Sequence, residues 1–329
     1  MNIVFATDDN YAKPTLLAIA SVLICNKQEK IDFYILTEHL NNKNKKLFTE
    51  ISKSLFPKST ITFLELTKKM TEQFIPTIKE NNHVSVATYF RLFIPSLLPP
   101  DIHKVLYLDG DILCVGKLDK LYESELNGFS MAATLDERTT DPECFLRLDY
   151  PMENGYAGAG VLLINLDWWR EHSVQKLASK YISQFPEKCL WHDQDALNKI
   201  LNGTIKFVNL KYNVYEQLYI GTSQYPASMK KETEEAMLEP VLLHFSDFRK
   251  PWQKESKSPF RFLWRKFYKK VFGKKCRLSH KYKGKICILW IVKKFLNFTG
   301  IKKYSEFRKY PEYEQVIRKT EKKLMKEEN

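Results

Sequence analysis

Paired cysteines are missing. The six present (Cys25, Cys114, Cys144, Cys189, Cys276, Cys287) show no C-x-x-C spacing. That argues against a zinc module built on cysteine pairs and fits free thiols in a reducing compartment. A long hydrophobic run is missing too. The longest, Ile286 to Val292, is far below the roughly 20 residues that a membrane-spanning helix needs. The first residues, Met-Asn-Ile-Val-Phe-Ala-Thr-Asp-Asp, lack a basic start and a long apolar stretch, so a secretory leader is not expected. There is no internal repeat, no Gly/Ser-rich linker and no compositional sign of disorder. With 44% of its 329 residues apolar, the chain can bury a sizeable core, as one large domain or one domain plus an appendage.

Charge is present but unevenly spread. The overall excess of +13 comes from 52 Lys and Arg against 39 Asp and Glu. From Arg249 onward there are 26 basic and 7 acidic residues, a balance of +19; the preceding 248 residues hold 26 and 32, a balance of −6. This break predicts a boundary: a body over residues 1–252 and a basic tail over 253–329.

The body is organised around Val105-Leu106-Tyr107-Leu108-Asp109-Gly110-Asp111. Four apolar or aromatic residues in a row predict a strand buried on both faces. Two carboxylates follow where it ends. Residues two apart in an extended chain point the same way, so Asp109 and Asp111 can face one point, and Gly110 between them allows a turn or close approach. Two converging carboxylates call for a positive partner, and a hard divalent cation is the natural one. The competing explanation is an ordinary turn, because Asp-Gly is a common turn pair.

The flanking sequence favours a sheet edge. Ile3 to Ala6, Ile31 to Leu36 and Ile61 to Leu64 read as strands, with helices after Pro14 and around Leu47, Phe48, Ile51 and Leu55. Strand–helix alternation of this length predicts a parallel, doubly wound sheet, in which ligands bind beyond the carboxyl ends of strands. Both acidic loops, Asp8-Asp9 and Asp109-Asp111, are then placed at such ends. Ser85 to Phe93 reads as an apolar helix with Arg91 embedded in it; a buried arginine meets either an internal carboxylate or a substrate anion. Tyr156-Ala157-Gly158-Ala159-Gly160 runs into the apolar strand Val161 to Asn165. The small residues allow close backbone approach, by a ligand or merely by a packed turn. Asp193-Gln194-Asp195 opens a helix; capping explains one of these acids, less readily both. His244 directly follows the strand Pro240 to Leu243, where a core histidine is the plainer explanation, and Lys250 lies six residues on.

Taken together and in order, these stretches resemble the family 8 retaining glycosyltransferases, the family of glycogenin and of bacterial lipopolysaccharide galactosyl- and glucosyltransferases. The stretches are Phe5 to Tyr11, Ser85 to Leu92, Leu108 to Asp111, Ala159 to Asn165, Asp193 to Asp195 and His244 to Trp252. The resemblance implies an α/β fold of the GT-A type, a Rossmann-like nucleotide-sugar-binding domain with a mixed, mainly parallel sheet. It implies that Asp109, Asp111 and His244 hold Mn²⁺ (or Mg²⁺) against the diphosphate of a UDP-hexose. It further implies that Ala6, Asp8, Asn10 and Tyr11 contact uridine and that Lys250 reaches the diphosphate. Arg91, Asp193 and Gln194 then meet the donor sugar, with Gly110, Ala159 and Gly160 completing the substrate-binding set. Two positions depart from the family pattern: Gly158 stands where an asparagine is usual, and Asp247 where a glycine is. For retention, Asp193 is the candidate nucleophile; the alternative is front-face attack with Gln194 flanking the sugar.

In the tail, Phe260, Leu263, Trp264, Phe267, Tyr268, Val271 and Phe272 fall on one helical face, with Arg261, Arg265, Lys266, Lys269 and Lys270 opposite. A basic amphipathic helix with aromatics predicts an interfacial membrane contact, unless that face packs on the protein. Residues 286–298 add a second apolar segment flanked by lysines. The expected partners are a UDP-hexose, a glycan or glycolipid acceptor such as lipopolysaccharide core, and an anionic membrane surface, with the protein on the cytoplasmic side. The contrasting expectations are nucleic-acid binding through the tail, disfavoured by the acidic body, and a UDP-sugar-binding regulator without transfer activity.

Overall fold

The computed structural model describes residues 1–55, 58–72, 74, 85–221, 225–299 and 313–325. The chain divides into two compact units, Met1–Val214 with Tyr225–His244, and Tyr215–Gln224 with Phe245–Asn329. The division falls slightly ahead of the expected boundary at residue 252, and the second unit also takes in a short excursion from mid-chain.

The first unit is an α/β layer structure. Its strands are β1 (Asn2–Ala6), β2 (Asp32–Thr37), β3 (Thr60–Glu65), β4 (Lys104–Leu108), β5 (Ile112–Cys114), β6 (Met131–Leu135), β7 (Ala157–Asn165) and β8 (Ile205–Phe207). Seven of them form one sheet in the order β3-β2-β1-β4-β7-β6-β8. The pairs β1–β2, β2–β3, β1–β4 and β6–β8 are parallel; β7 runs antiparallel to both β4 and β6. The sheet is therefore mixed and mainly parallel, as in GT-A folds. Helices α1 (Ala12–Cys25) and α2 (Asn42–Leu55) provide the crossovers between β1, β2 and β3. Nearly every residue of α1 from Ala12 to Leu23 is buried, which suits its almost uniformly apolar sequence.

This topology creates the site. The order 3-2-1-4 reverses between β1 and β4, so the loops after both strands open at one switch point. Because β7 is antiparallel, its start lies beside the end of β4: Val161 is opposite Leu108, and the Asp109 amide donates to Gly160 O at 2.9 Å. A purely parallel sheet would have put the small-residue stretch at the far edge. The segment Val86–Phe93 is the expected helix, of the 3₁₀ type. Its three-residue repeat eclipses side chains at i and i+3, which lets Arg91 Nε donate to Thr88 O at 3.2 Å.

The second unit corrects the tail expectation. In the helix Arg261–Phe272, Leu263, Trp264, Phe267 and Tyr268 are buried, as is Phe260 before it. Phe260 meets Tyr219 edge-on at 4.8 Å and Trp264 lies 5.2 Å from Trp252. Helix Tyr313–Met325 buries Val316 and Leu324 alongside, with Lys266 paired to Glu321. This face is core, not an open membrane surface; periodicity shows that a helix is two-faced, not what covers the apolar side. Helix Gly284–Phe298 is different: Ile286, Ile288, Leu289, Ile291, Phe295 and Phe298 are all exposed. No described helix is long and apolar enough to cross a membrane.

Candidate active site

Asp109, Asp111 and His244 come together. Each offers one ligand atom, and these atoms lie within 4.8 Å of one another. The strand Leu242–His244 runs antiparallel to β5, with His244 opposite Ile112, directly after Asp111. His244 Nε2 is 3.3 Å from Asp111 Oδ1 and 3.7 Å from Asp109 Oδ2. Its other nitrogen, Nδ1, sits 2.9 Å from Asn213 Oδ1. That contact holds the proton on Nδ1 and turns the Nε2 lone pair toward the carboxylates, the arrangement found behind metal-bound imidazoles. The second oxygen of Asp109 is already engaged: Oδ1 accepts from Tyr107 OH at 2.8 Å and pairs with Arg91 Nη2 at 3.0 Å. Only Oδ2 is left to face His244 and Asp111.

The local charge is unbalanced. Arg91, almost fully buried, is shared between Asp109 and Asp193, whose Oδ2 is 2.9 Å from Arg91 Nε. Asp111 adds a third carboxylate to one guanidinium. Burial disfavours the Arg91 cation, but Asp109 and Asp193 outweigh it and raise its pKa. Burial pushes the Asp193 carboxyl up to about 7; Arg91 opposes this and Asp109 adds to it. Arg91 Nε spends its proton on Thr88 O, so Asp193 Oδ2 meets the cation without a hydrogen bond among the described residues. A lone pair and two carboxylate oxygens converging in a net-negative pocket fit a divalent cation with oxygen and imidazole ligands. Gly160 leaves room for this: a Cβ there would strike His244 Cε1 and lie 2.8 Å from its Nδ1 and 3.0 Å from Asp109 Oδ2.

Asp193 and Gln194 start the helix Asp193–Leu201, after His192 in a strained left-handed conformation with φ 56° and ψ −126°. Gln194 bridges two elements: its Oε1 accepts from the Ala159 amide at 2.8 Å and its Nε2 donates to Asp136 Oδ2 at 3.3 Å. Arg91 Nη1 donates to Ala159 O, so Ala159 is clamped from both sides. Asp195 is not part of this group. It is fully buried and taken up by Arg147 (2.9 and 3.1 Å), Tyr156 OH (2.6 Å) and the Trp191 amide (2.7 Å), a structural anchor for the helix.

After β1, Ala6 ends the strand and Asp8 Oδ1 accepts from the amides of Asn10 and Tyr11, both at 2.9 Å. This fixes the loop with Asn10 exposed and Tyr11 half-buried. Gly110 lies against α1, where a Cβ would strike the Thr15 hydroxyl. Lys250 and Asp247 belong to the second unit. There Lys250 Nζ donates to Phe245 O at 2.7 Å. Asp247 is neutralised by Arg249, which donates from its backbone, Nε and Nη2 (2.8, 3.1 and 2.6 Å). The carboxylate that departs from the family pattern thus carries its own counter-ion.

Three contributors were not singled out from sequence. Tyr107 was legible, because strand alternation puts it on the face of Asp109. Asp136, like Asp109, follows a buried strand. Asn213 sits in a short turn with no local signal.

Known proteins resemble this chain in sequence and in fold. The chain is 28% identical over 269 residues to general stress protein A of Bacillus subtilis, covering 79% of this chain and 90% of that protein. It is 28% identical over 258 residues to a lipopolysaccharide 1,2-glucosyltransferase of Escherichia coli, covering 77% and 73%. The crystal structure of galactosyltransferase LgtC with donor and acceptor sugar analogues superposes with a TM-score of 0.73 at 25% identity, covering 89% of this chain and all of that one. The family description "Glycosyl transferase family 8" matches residues 2–256. Fold, sequence and the order of the motifs agree: the chain belongs to glycosyl transferase family 8 and is a glycosyltransferase acting between a nucleotide-sugar donor and a glycan acceptor.

Proposed function

We propose that this protein transfers a hexose, galactose or glucose, from its UDP derivative to a lipopolysaccharide or lipooligosaccharide core, with retention at the anomeric carbon. The observation that carries the reading is the convergence of Asp109 Oδ2, Asp111 Oδ1 and His244 Nε2, with His244 Nδ1 held by Asn213. Asp109, Asp111 and His244 would hold Mn²⁺ or Mg²⁺, which when bound offsets charge building on the departing UDP. Ala6, Asp8, Asn10 and Tyr11 form the wall for uridine, with Asp8 shaping the loop. Gly110, Ala159 and Gly160 let the donor approach backbone closely, and Lys250 adds a compact cation for the diphosphate.

The sugar carbon gains positive charge as its bond to phosphate breaks. Asp193, ionised and facing that carbon, stabilises the charge; Arg91 fixes its orientation. Gln194 has both ends of its amide engaged and positions Ala159 rather than reacting. The exposed apolar residues of helix Gly284–Phe298, bordered by Lys285, Lys293 and Lys294, rest on the anionic inner face of the cytoplasmic membrane, where a glycolipid acceptor lies.

The test is release of UDP by the purified protein from UDP-galactose and UDP-glucose separately, with Mn²⁺ or with chelator. Metal-dependent release from one donor, lost in Asp111→Ala, is the expected result. No release from either, together with no metal-dependent UDP binding, overturns the reading. Salt-sensitive sedimentation with anionic vesicles tests the membrane contact; a gel shift with RNA or DNA at physiological salt, without vesicle binding, would favour nucleic acid instead.

A further inference from the structure

The second unit holds another cluster of metal-binding chemistry. Glu255, His280 and Cys287 each offer one ligand atom, all within 4.8 Å of one another. They come from three places: the segment after Trp252, the segment before helix Gly284–Phe298, and the first turn of that helix. Backbone pairing brings the first two together. The Ser279 amide donates to Trp252 O at 3.1 Å, and the Lys254 amide donates to Ser279 O at 2.9 Å. Gly284, with φ 55°, then turns the chain into the helix and returns Cys287 to the same spot.

Of the three, Glu255 is buried and His280 and Cys287 are partly exposed. Glu255 Oε2 accepts from the Lys281 amide at 2.8 Å. His280 Nδ1 lies 2.8 Å from Glu255 Oε1 and 3.5 Å from Cys287 Sγ. One ring nitrogen thus faces two donor atoms and can satisfy only one of them with a hydrogen. Nε2 is 2.8 Å from Lys254 Nζ, which is exposed and can turn to solvent. Tetrahedral zinc, with bonds of about 2.0–2.3 Å, separates its ligand atoms by roughly 3.3–3.8 Å. The sulfur–nitrogen spacing already fits, and the carboxylate needs to withdraw by about half an ångström.

We propose that Glu255, His280 and Cys287 form a zinc-class metal site that pins the first turn of helix Gly284–Phe298 to the loop segments preceding it. The thiolate and imidazole select a borderline-soft ion, unlike the oxygen-rich Asp109–Asp111–His244 group. The ion takes the place of the Nδ1 hydrogen, which moves to Nε2 as Lys254 leaves. The Cys287 thiol proton goes to solvent, so one proton is released per ion bound. The site is independent of the transferase reading.

The test uses the full chain, freed of metal by chelator, titrated with Co²⁺. One equivalent gives a near-ultraviolet thiolate-to-cobalt band, bleached by Zn²⁺, kept in Asp111→Ala and lost in Cys287→Ser and His280→Gln. A missing band in the unsubstituted protein, or a band that persists in Cys287→Ser, overturns the proposal. Alkylation mapped by mass spectrometry needs no variant. Zn²⁺ slows modification of Cys287 by roughly tenfold or more while leaving Cys25 unchanged; equal rates at Cys287 with and without Zn²⁺ refute the site.

Discussion

Gly160→Ala is the sharpest perturbation of the candidate active site, because it adds one methyl group and removes nothing. The new Cβ would strike His244 Cε1 and sit 2.8 Å from its Nδ1 and 3.0 Å from Asp109 Oδ2. Ordinary contact begins near 3.4 Å, so the imidazole must retreat by at least about 0.6 Å, and further at Cε1. The backbone of Gly160 cannot give way easily, since its carbonyl accepts from the Asp109 amide inside the β4–β7 pairing. His244 is held in turn by Asn213. A 0.6 Å displacement is well outside the roughly 0.2 Å tolerance of metal–ligand bonds. We expect a fall in Mn²⁺ affinity of about 10–100-fold, the range seen when a ligand loses its support. Overpacking should lower stability by about 1–3 kcal/mol. Calorimetric titration with Mn²⁺ and denaturant unfolding measure the two effects separately. Unchanged Mn²⁺ affinity in a folded Gly160→Ala protein would refute the ligand assignment of His244, whatever the stability.

Other predictions follow from the same geometry. With its carboxyl pushed up to about 7, Asp193 is protonated below that pH and charged above it, so turnover should rise with pH through about 7. Asp193→Asn should be nearly inactive and show no such limb; a wild-type profile flat from about pH 6 to 8 would contradict the role (a window bracketing that value by roughly one unit). The same group binds its proton more tightly folded than unfolded, so its contribution to stability declines as pH rises from 3.8 to about 7; denaturant midpoints in Asp193→Asn should lack that slope. Arg147→Met leaves the fully buried Asp195 without its cation and should cost about 3–5 kcal/mol, read by chemical unfolding; a cost near zero would mean that Tyr156 and the Trp191 amide suffice. Phe267→Ala, in the buried face of the tail helix, should destabilise the protein by about 3–5 kcal/mol. Ile288→Ser on the exposed helix should stay within about 0.5 kcal/mol of wild type yet weaken vesicle binding, and the opposite pattern would return the membrane role to the first helix.

Much of the first unit was legible because its signals are local. A buried strand ending in Asp-Gly-Asp states both its element and the direction of its carboxylates, and the structure places the two where alternation requires. The β1, β2 and β3 crossovers follow from helix and strand periods alone. The antiparallel β7 was not readable from its sequence: a run such as Val161 to Ile164 has no direction written in it, yet that direction is what puts Gly160 beside Asp109. His244 illustrates a second limit. At a strand end it looks like a core histidine, and only the pairing of Leu242–His244 with β5 gives it its neighbours. Asn213 and Glu255 lie beyond sequence reading for the same reason, since they are 31 and 25 residues from their histidine partners, although Cys287 follows His280 by only 7. In the tail, the helical period was right and its surroundings were not: Phe260, Leu263, Trp264, Phe267 and Tyr268 are buried, while the plainer apolar run over 286–298 is the exposed one.

The account rests on Asp109, Asp111 and His244 holding the ion that joins protein to donor. Its most direct test is the coupling between Mn²⁺ and UDP, measured by titrating UDP with and without Mn²⁺ in the wild type and in His244→Ala. Binding free energies couple reciprocally, so a shared ion requires each ligand to tighten the other. The account predicts that Mn²⁺ strengthens UDP binding in the wild type and that this gain vanishes in His244→Ala, with metal-free UDP binding unchanged. Equal strengthening in both proteins would contradict it and place the metal elsewhere.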